Sequence, residues 1–265
     1  MDLIKTGSFS ILLGSLQYKD FIQPKKNKLV KVSKINESNN EFKNISIIKS
    51  IKNYSKYYCI PESNYININL SSNFYKYLFN NFNESYFNSK LVYYYIDYAG
   101  NKELLDTMDD IVIHNDFTIW KSYKVILKFT KKILKAVSYL HNNKLCHLDI
   151  KPENIIINTR TKKFKLVDFG FCSVEPFDDF VNNIKGTPGY FPNIYNSIDN
   201  SIYLPRIKAN DMILVNGELP FKKNRELVYK IDSFCLGRTL YILKYSYKNN
   251  KTYCCKNFEK HNEFK

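Results

Sequence analysis

The feature that most constrains this chain is a polar segment, residues 147–154 (HLDIKPEN), which is followed by two short apolar runs. The runs, residues 155–157 and 164–167, are separated by a polar turn, and this pattern predicts a β-hairpin. The two ends of a hairpin are neighbours in space, so polar side chains before the first strand should lie close to those after the second. These side chains are Asp149, Lys151 and Asn154 at one end and Asp168 at the other.

Two carboxylates, one amide and one ammonium group are therefore expected in one place. Carboxylate and amide oxygens are the hard ligands that Mg²⁺ prefers, and an ammonium group can bind phosphate oxygens. The residue types indicate a magnesium–polyphosphate site.

At this point the chain resembles the eukaryotic-type protein kinases, whose catalytic loop and Asp-Phe-Gly turn carry these residues at this spacing. The resemblance implies an α+β, two-lobed protein-kinase-like fold. It implies a small β-rich N-lobe over residues 1–98 and a larger, mainly helical C-lobe over residues 99–265, together forming one kinase domain. It also implies a serine/threonine protein kinase that uses ATP and Mg²⁺ and acts on a protein substrate.

The resemblance assigns roles to residues of the catalytic loop. Asp149 would accept or orient the substrate hydroxyl, and Lys151 would stabilise the transferring phosphoryl group. Thr187 would help to fix Asp149, while Asn154 and Asp168 would hold magnesium. A lysine two residues after the catalytic aspartate, with Gly-Thr in the later loop, is the serine/threonine version of the pattern.

Residues for binding ATP are implied in the N-lobe. Gly7, Ser8 and Phe9 resemble the later part of the glycine-rich loop, although Lys5 and Ser10 stand where further glycines are usual. Backbone N–H groups in such a turn can still bind phosphate, but the two replacements make a close approach less certain.

The strand lysine and its glutamate partner each leave an alternative. Lys31 fits the lysine that reaches the α and β phosphates, and Lys34 is the alternative. In the following helix the apolar register puts Asn44 at the family's glutamate position. Glu41, one turn earlier on the same face, is the acid that could substitute.

The segment that joins the lobes is matched without gaps. Ile96 would be the gatekeeper, Asp97 and Ala99 would offer backbone hydrogen bonds to adenine, and Glu103 would reach the ribose. Further along, Asp232 resembles the buried acid that orients the catalytic loop, while a helix N-cap is the simpler interpretation of the same residue.

Hydrophobic periodicity predicts the elements around these motifs. Residues 3–35 predict two or three antiparallel strands, and residues 41–51 predict one short amphipathic helix. Strand-like runs return at residues 65–70 and 91–98. Residues 120–141 carry apolar side chains at helical spacing with lysines opposite, which predicts a long amphipathic helix.

The chain also departs from the family pattern. Leu148 replaces the arginine that binds a phosphorylated activation loop in many kinases. Phe191, Pro192 and Asn193 stand where Ala-Pro-Glu is usual, and an insertion is expected at about residues 194–228. Few residues follow Asp232, so the C-lobe is expected to be shortened and to leave room there for a protein partner.

Composition limits the other function classes. The net charge of +15 attracts polyanions in general, but the basic residues are dispersed and we find no interleaved aromatic–basic motif, so nucleic acid is not the expected partner. Apolar runs stay short and the first residues lack the features of a secretory signal, so we expect a cytoplasmic protein that does not enter a membrane. Excess Asn, Lys and Ile would suit an AT-rich genome such as that of a large DNA virus. The rival hypothesis is a pseudokinase, a kinase-shaped binding module without catalysis.

Overall fold

The computed structural model describes residues 4–6, 10–62, 64–82, 87, 89–182, 186–187, 189–196, 212–215 and 224–249. The first part of the chain is β-rich. Its elements are β1 (Ile4–Thr6), β2 (Ser10–Leu13), α1 (Ser15–Tyr18), β3 (Lys28–Lys34), α2 (Ile35–Lys43), α3 (Ile45–Ser50), α4 (Tyr54–Tyr57), β4 (Ile66–Asn67), α5 (Asn73–Asn81) and β5 (Leu91–Asp97).

The five strands of this part form one antiparallel sheet in the order β1-β2-β3-β5-β4. Val30 and Val32 in β3 and the tyrosines of β5 favour strand structure, and the two strands pair along their whole length, with Lys31 opposite Tyr94. Aliphatic side chains of β2 and β3 pack with α5 in a small core that includes Leu13, Val30 and Leu78. The antiparallel strands predicted over residues 3–35 are confirmed.

The second part of the chain is mainly helical. Its elements are β6 (Lys102–Glu103), α6 (Leu104–His114), α7 (Tyr123–Asn142), β7 (Leu145–Cys146), a 3₁₀ turn (Pro152–Asn154), β8 (Ile155–Asn158), β9 (Lys163–Leu166), β10 (Ser173–Val174), α8 (Asp178–Asn182), β11 (Asn193–Asn196), β12 (Met212–Val215) and α9 (Leu227–Asn249).

Helix α7 is amphipathic, as its sequence pattern predicts. Buried residues recur every three or four positions, and the larger core forms around them together with α6 and α9. They are Ile126, Phe129, Ile133, Ala136, Val137 and Leu140. No helix within the described ranges combines the length and the apolar character that crossing a bilayer requires.

Two sequence expectations differ from the structure. The single helix predicted at residues 41–51 is two helices, α2 and α3, because Asn44 leaves helical geometry at φ −107° and ψ 6°. The N-cap interpretation of Asp232 is wrong, because α9 begins at Leu227 and Asp232 lies inside the helix.

Candidate active site

The predicted hairpin is present and brings the catalytic-loop residues together with Asp168. Strands β8 and β9 pair in antiparallel register, with Ile155 opposite Leu166. At the open end the backbone N–H of Val167 donates to the carbonyl of Asn154 at 3.0 Å. The polar loop before β8 and the turn after β9 are therefore held side by side.

Three side chains surround the carboxylate of Asp149, which is 8% exposed. The Nζ of Lys151 lies 2.9 Å from its Oδ2, and the Thr187 hydroxyl donates to its Oδ1. The Nδ2 of Asn154 donates to the Oδ2 of Asp149 at 2.8 Å, and Lys151 also donates to Thr187 at 2.7 Å. The carboxylate is thus fixed in orientation and compensated in charge.

The backbone beneath this group is fixed by a buried acid on helix α9. The N–H groups of His147 and Leu148 each donate to the carboxylate of Asp232 at 2.7 Å, and Asp232 is fully buried. His141 on α7 contacts the same carboxylate at 3.1 Å. Hydrogen bonds to an ionised acceptor are stronger than neutral ones, so Asp232 anchors the loop that carries Asp149.

The Asp-Phe-Gly turn is positioned by its phenylalanine. Phe169 is buried, packs edge-on against Tyr58 and lies at a tilt against the ring of His147. Asp168 itself adopts a left-handed backbone conformation at φ 61°, and its side chain remains 46% exposed toward the cleft. Burial of the ring next to it therefore turns the carboxylate outward.

Lys31 joins the two walls of the cleft. Its Nζ lies 2.8 Å from Glu41 on α2 and 3.5 Å from Asp168. Burial alone would lower the pKa of Lys31, but the neighbouring carboxylates of Asp168 and Glu41 outweigh it and raise the pKa well above its usual value. The same ammonium group lowers the pKa of Asp168.

The structure separates the two alternatives in each pair, Lys31 from Lys34 and Glu41 from Asn44. Lys31 lines the cleft, whereas Lys34 ends β3 at the start of α2 and lies outside the cleft lining. Glu41 is the acid paired with Lys31. The register that put Asn44 at the family's glutamate position is wrong, because α2 ends at Lys43 and Asn44 donates instead to the backbone of Cys172.

The segment between the lobes forms the back of the cleft. The carbonyl of Asp97 accepts from the Cys59 thiol at 3.1 Å, which leaves one of its two lone pairs for another donor. Gly100 is required here, since a Cβ at this position would lie 2.4 Å from the carbonyl oxygen of Ile157. Glu103 is the N-cap of α6 and forms a capping box with Asp106.

The cleft between the sheet and the catalytic loop encloses about 700 Å³, a size typical of small-molecule sites. The predicted site residues that line it are Lys31, Glu41, Asp97, Ala99, Glu103, Asp149, Lys151, Asn154, Asp168 and Thr187. The predicted glycine-loop residues Gly7, Ser8 and Phe9 lie outside the described residues.

The donor set at one end of the cleft fits a hard cation. Asp168 offers a carboxylate whose lowered pKa keeps it ionised, and Asn154 has its amide oxygen left, because its NH₂ group donates to Asp149. Oxygen ligands of this kind match Mg²⁺. The residues that the sequence proposes for the metal therefore have suitable chemistry.

Two contributors to the site were missed by the sequence interpretation. The Tyr94 hydroxyl donates to Glu41, and the strand alternation that places Tyr94 opposite Lys31 was the signal for it. Phe191 fills the space beside Gly186, where a Cβ would collide with its ring, and its N–H donates to the carbonyl of Thr187 at 3.0 Å. Nothing local to the sequence at 186–191 indicated this packing.

Comparison with protein families identifies the fold. A family model described as protein kinase domain matches residues 28–201, which is more than half of the chain. The chain belongs to the protein kinase family. Its β-rich first part and mainly helical second part are the N-lobe and C-lobe of a protein kinase fold, as the sequence predicts.

Curated relatives are serine/threonine and other protein kinases. The chain is 34% identical over 108 residues to the phosphorylase b kinase gamma catalytic chain, liver/testis isoform, of Bos taurus, which covers 40% of this chain and 24% of that relative. It is 29% identical over 113 residues to serine/threonine-protein kinase pim-2 of Danio rerio, a match that covers 40% of this chain and 36% of that relative. It is 29% identical over 155 residues to calcium-dependent protein kinase 5 of Plasmodium falciparum, a match that covers 56% of this chain and 26% of that relative. The matches therefore span about a quarter to a third of the length of these relatives.

Proposed function

We propose that this kinase domain is catalytically active and transfers the γ-phosphoryl group of ATP to a serine or threonine hydroxyl of a protein. The observation that carries the proposal is the complete set of contacts around Asp149 from Lys151, Thr187 and Asn154. These contacts hold the carboxylate in one orientation at the lining of the cleft, as a group that receives the proton of a substrate hydroxyl requires.

In this mechanism Asp149 orients the substrate hydroxyl and accepts its proton as the phosphoryl group departs from ADP. Lys151, between Asp149 and Thr187, lies where it can donate to the transferring phosphoryl oxygens. Thr187 restrains both side chains. Its position next to Gly186 is the feature that favours serine/threonine over tyrosine specificity.

The nucleotide would lie in the cleft with adenine against the backbone of Asp97 and Ala99 and the ribose toward Glu103. Lys31, held by Glu41, would bind the α and β phosphates. Asn154 and Asp168 would hold Mg²⁺, which supplies neutralisation of phosphate charge when bound. The contacts of Lys31, Glu41 and Asp168 support this arrangement.

The rival pseudokinase hypothesis rests on Lys5 and Ser10 in the glycine loop and on Asn193 in place of an acid. It predicts nucleotide binding without turnover. Measured transfer from γ-labelled ATP to generic acidic and basic proteins, with and without Mg²⁺, separates the two hypotheses. Phosphoamino-acid analysis of the product then tests the serine/threonine assignment.

Two variants make the assay specific to this site. Asp168→Asn should remove most Mg²⁺-dependent nucleotide binding and nearly all transfer, because a neutral amide is a poorer magnesium ligand than a carboxylate. Asp20→Asn changes an exposed aspartate outside the cleft lining and serves as the matched control. Transfer by Asp168→Asn at a rate near that of the unaltered protein would show that the assignment of Asp168 as a magnesium ligand is wrong, whereas absence of transfer by the unaltered protein would contradict the proposed function.

A further inference from the structure

Helix α2 presents Glu41 to Lys31 with little apolar packing of its own. The buried side chains of α2 are Ser38 and Glu41, both polar, and Phe42 is only partly buried, against the ring of Tyr94. A helix of nine residues is too short to be stable alone in water. The position of Glu41 must therefore depend on the contacts that α2 makes with its surroundings.

Asn44, the residue after α2, makes such a contact with the segment that follows the Asp-Phe-Gly turn. Its side chain is 3% exposed, and its Nδ2 donates to the carbonyl oxygen of Cys172 at 2.9 Å. Cys172 lies two residues beyond Gly170, in the segment that continues from Asp168. A buried amide that loses such a partner is left unsatisfied, so the bond resists displacement of either segment.

The Asn44–Cys172 bond runs beside the ionic contacts at Lys31. Lys31 brings Glu41 and Asp168 together, and Asn44 and Cys172 meet a few residues further along the same two segments. The helix and the turn are thus connected twice, once through a cation and once directly. Loss of the direct bond would free the end of α2 to move away from Lys31.

We propose that Asn44 is a positioning residue for phosphoryl transfer, which holds Glu41 against Lys31 by fixing the end of α2 to the backbone of Cys172. This inference rests on the proposed function and gives Asn44 a role different from the glutamate position to which the apolar register matched it. An exposed ion pair between Lys43 and Asp179 joins α2 to α8, further along the chain from Cys172. Exposed pairs contribute little, so we assign the coupling to the buried amide.

The test compares Asn44→Ala and Asn44→Ser with a matched control, Asn81→Ala. The Asn81 amide also donates to a backbone carbonyl, that of Tyr77 at 2.8 Å, but at the end of α5 and outside the cleft lining. We expect kcat of the Asn44 variants to fall about tenfold, equivalent to about 1.4 kcal/mol, while KM for the protein substrate stays within about twofold. Asn44→Ser keeps the test available if Asn44→Ala does not fold.

A double-mutant cycle with Glu41→Gln separates positioning from general damage to the fold. If Asn44 acts through Glu41, Asn44→Ala should weaken the binding of Mg·ADP when Glu41 is present. When the protein also carries Glu41→Gln, Asn44→Ala should change this affinity by less than about twofold. Equal losses in both backgrounds, or Asn44 variants with unaltered kcat, would overturn this inference alone. Absence of transfer by the unaltered protein would instead overturn the proposed function and the inference that rests on it.

Discussion

The ammonium group of Lys31 lies 3.5 Å from the carboxylate of Asp168, and these two residues belong to opposite walls of the cleft. Each shifts the pKa of the other. The pKa of Lys31 is raised despite its burial, and the pKa of Asp168 is lowered mainly by Lys31. Both groups are therefore charged at neutral pH, and the contact between the walls is ionic.

This ionic contact should make stability depend on pH in a defined way. Because the pKa of Asp168 is lowered by folding, this residue stabilises the folded protein at pH values above its pKa in the unfolded chain, about 3.9. The contribution is lost as the pH falls through the lower pKa of the folded protein. Because the pKa of Lys31 is raised by folding, this residue stabilises the folded protein at pH values below its pKa in the unfolded chain, about 10.4. That contribution is lost as the pH rises through the higher pKa of the folded protein. Between these limits the contribution is constant.

We therefore expect the free energy of unfolding of the unaltered protein, relative to Asp168→Asn, to be flat from about pH 5 to pH 9. The difference should decline as the pH falls below about 4. Urea denaturation across this range measures it. Curves that stay parallel down to pH 3 would show that Asp168 has an ordinary pKa in the folded protein.

Replacement of each candidate lysine by methionine tests which of the two belongs to the site. Lys31 and Lys34 are three positions apart in β3, so their side chains point to opposite faces of the sheet. Lys31→Met should lower kcat/KM by about a hundredfold, or about 2.7 kcal/mol. Lys34→Met is the matched control and should stay within about threefold. A larger loss in Lys34→Met would transfer the assignment to Lys34.

Asp232 should matter for activity although it does not touch the cleft. Asp232→Asn keeps the side-chain shape but replaces an acceptor oxygen by an NH₂ group facing the N–H donors of His147 and Leu148. We expect a loss of about 1–3 kcal/mol in the free energy of unfolding. We also expect kcat to fall at least about tenfold, because the loop that carries Asp149 loses its anchor.

Chemical denaturation and steady-state kinetics on the same preparation check both effects of Asp232→Asn. Asp178→Asn is the control, because Asp178 pairs with Arg225 at 3.0 Å near the start of the same helix but is largely exposed. Equal stability and kcat for Asp232→Asn and the control would contradict an anchoring role.

Much of the site could be predicted because its residues lie in short, local patterns. The spacing from Asp149 to Asn154 and the hairpin to Asp168 are set within a few tens of residues, so the sequence alone brought these groups together. The long helix α7 was equally accessible, since its apolar face repeats over many turns.

What escaped prediction depends on contacts between distant segments. The break between α2 and α3 lies at Asn44, whose side chain bonds to Cys172, and no periodicity in residues 41–51 reveals a partner so far along the chain. For the same reason the choice between Glu41 and Asn44 needed the observed position of Lys31. Propensity and spacing describe one segment at a time, whereas tertiary packing decided these points.

The last prediction concerns the segment between Gly170 and Gly186, which we expect to need no phosphorylation. Leu148, which replaces the phosphate-binding arginine, is completely buried and cannot offer a cation. Ser173 is the only hydroxyl residue of the segment, and it is 4% exposed, so a protein kinase could not reach it without local unfolding.

Contacts already present hold the described residues 171–182 of this segment in place. Phe177 and Phe180 are buried in the C-lobe core, and Phe171 packs against it. Carboxylates of the segment also pair with cations on three other parts of the chain, but these pairs are largely exposed and contribute less than the buried rings. These pairs are Glu175 with Lys144, Asp178 with Arg225 and Asp179 with Lys43.

Phosphatase treatment and Ser173→Ala should therefore each leave kcat within about threefold, or about 0.7 kcal/mol in barrier height. The Ser173 Oγ is buried with no hydrogen-bond partner among the described residues, so its removal should not lower the free energy of unfolding. Mass spectrometry before and after phosphatase treatment shows whether any phosphate was present to remove. A hundredfold loss of kcat after phosphatase treatment would mean that a cation other than an arginine at position 148 binds a phosphate in this kinase.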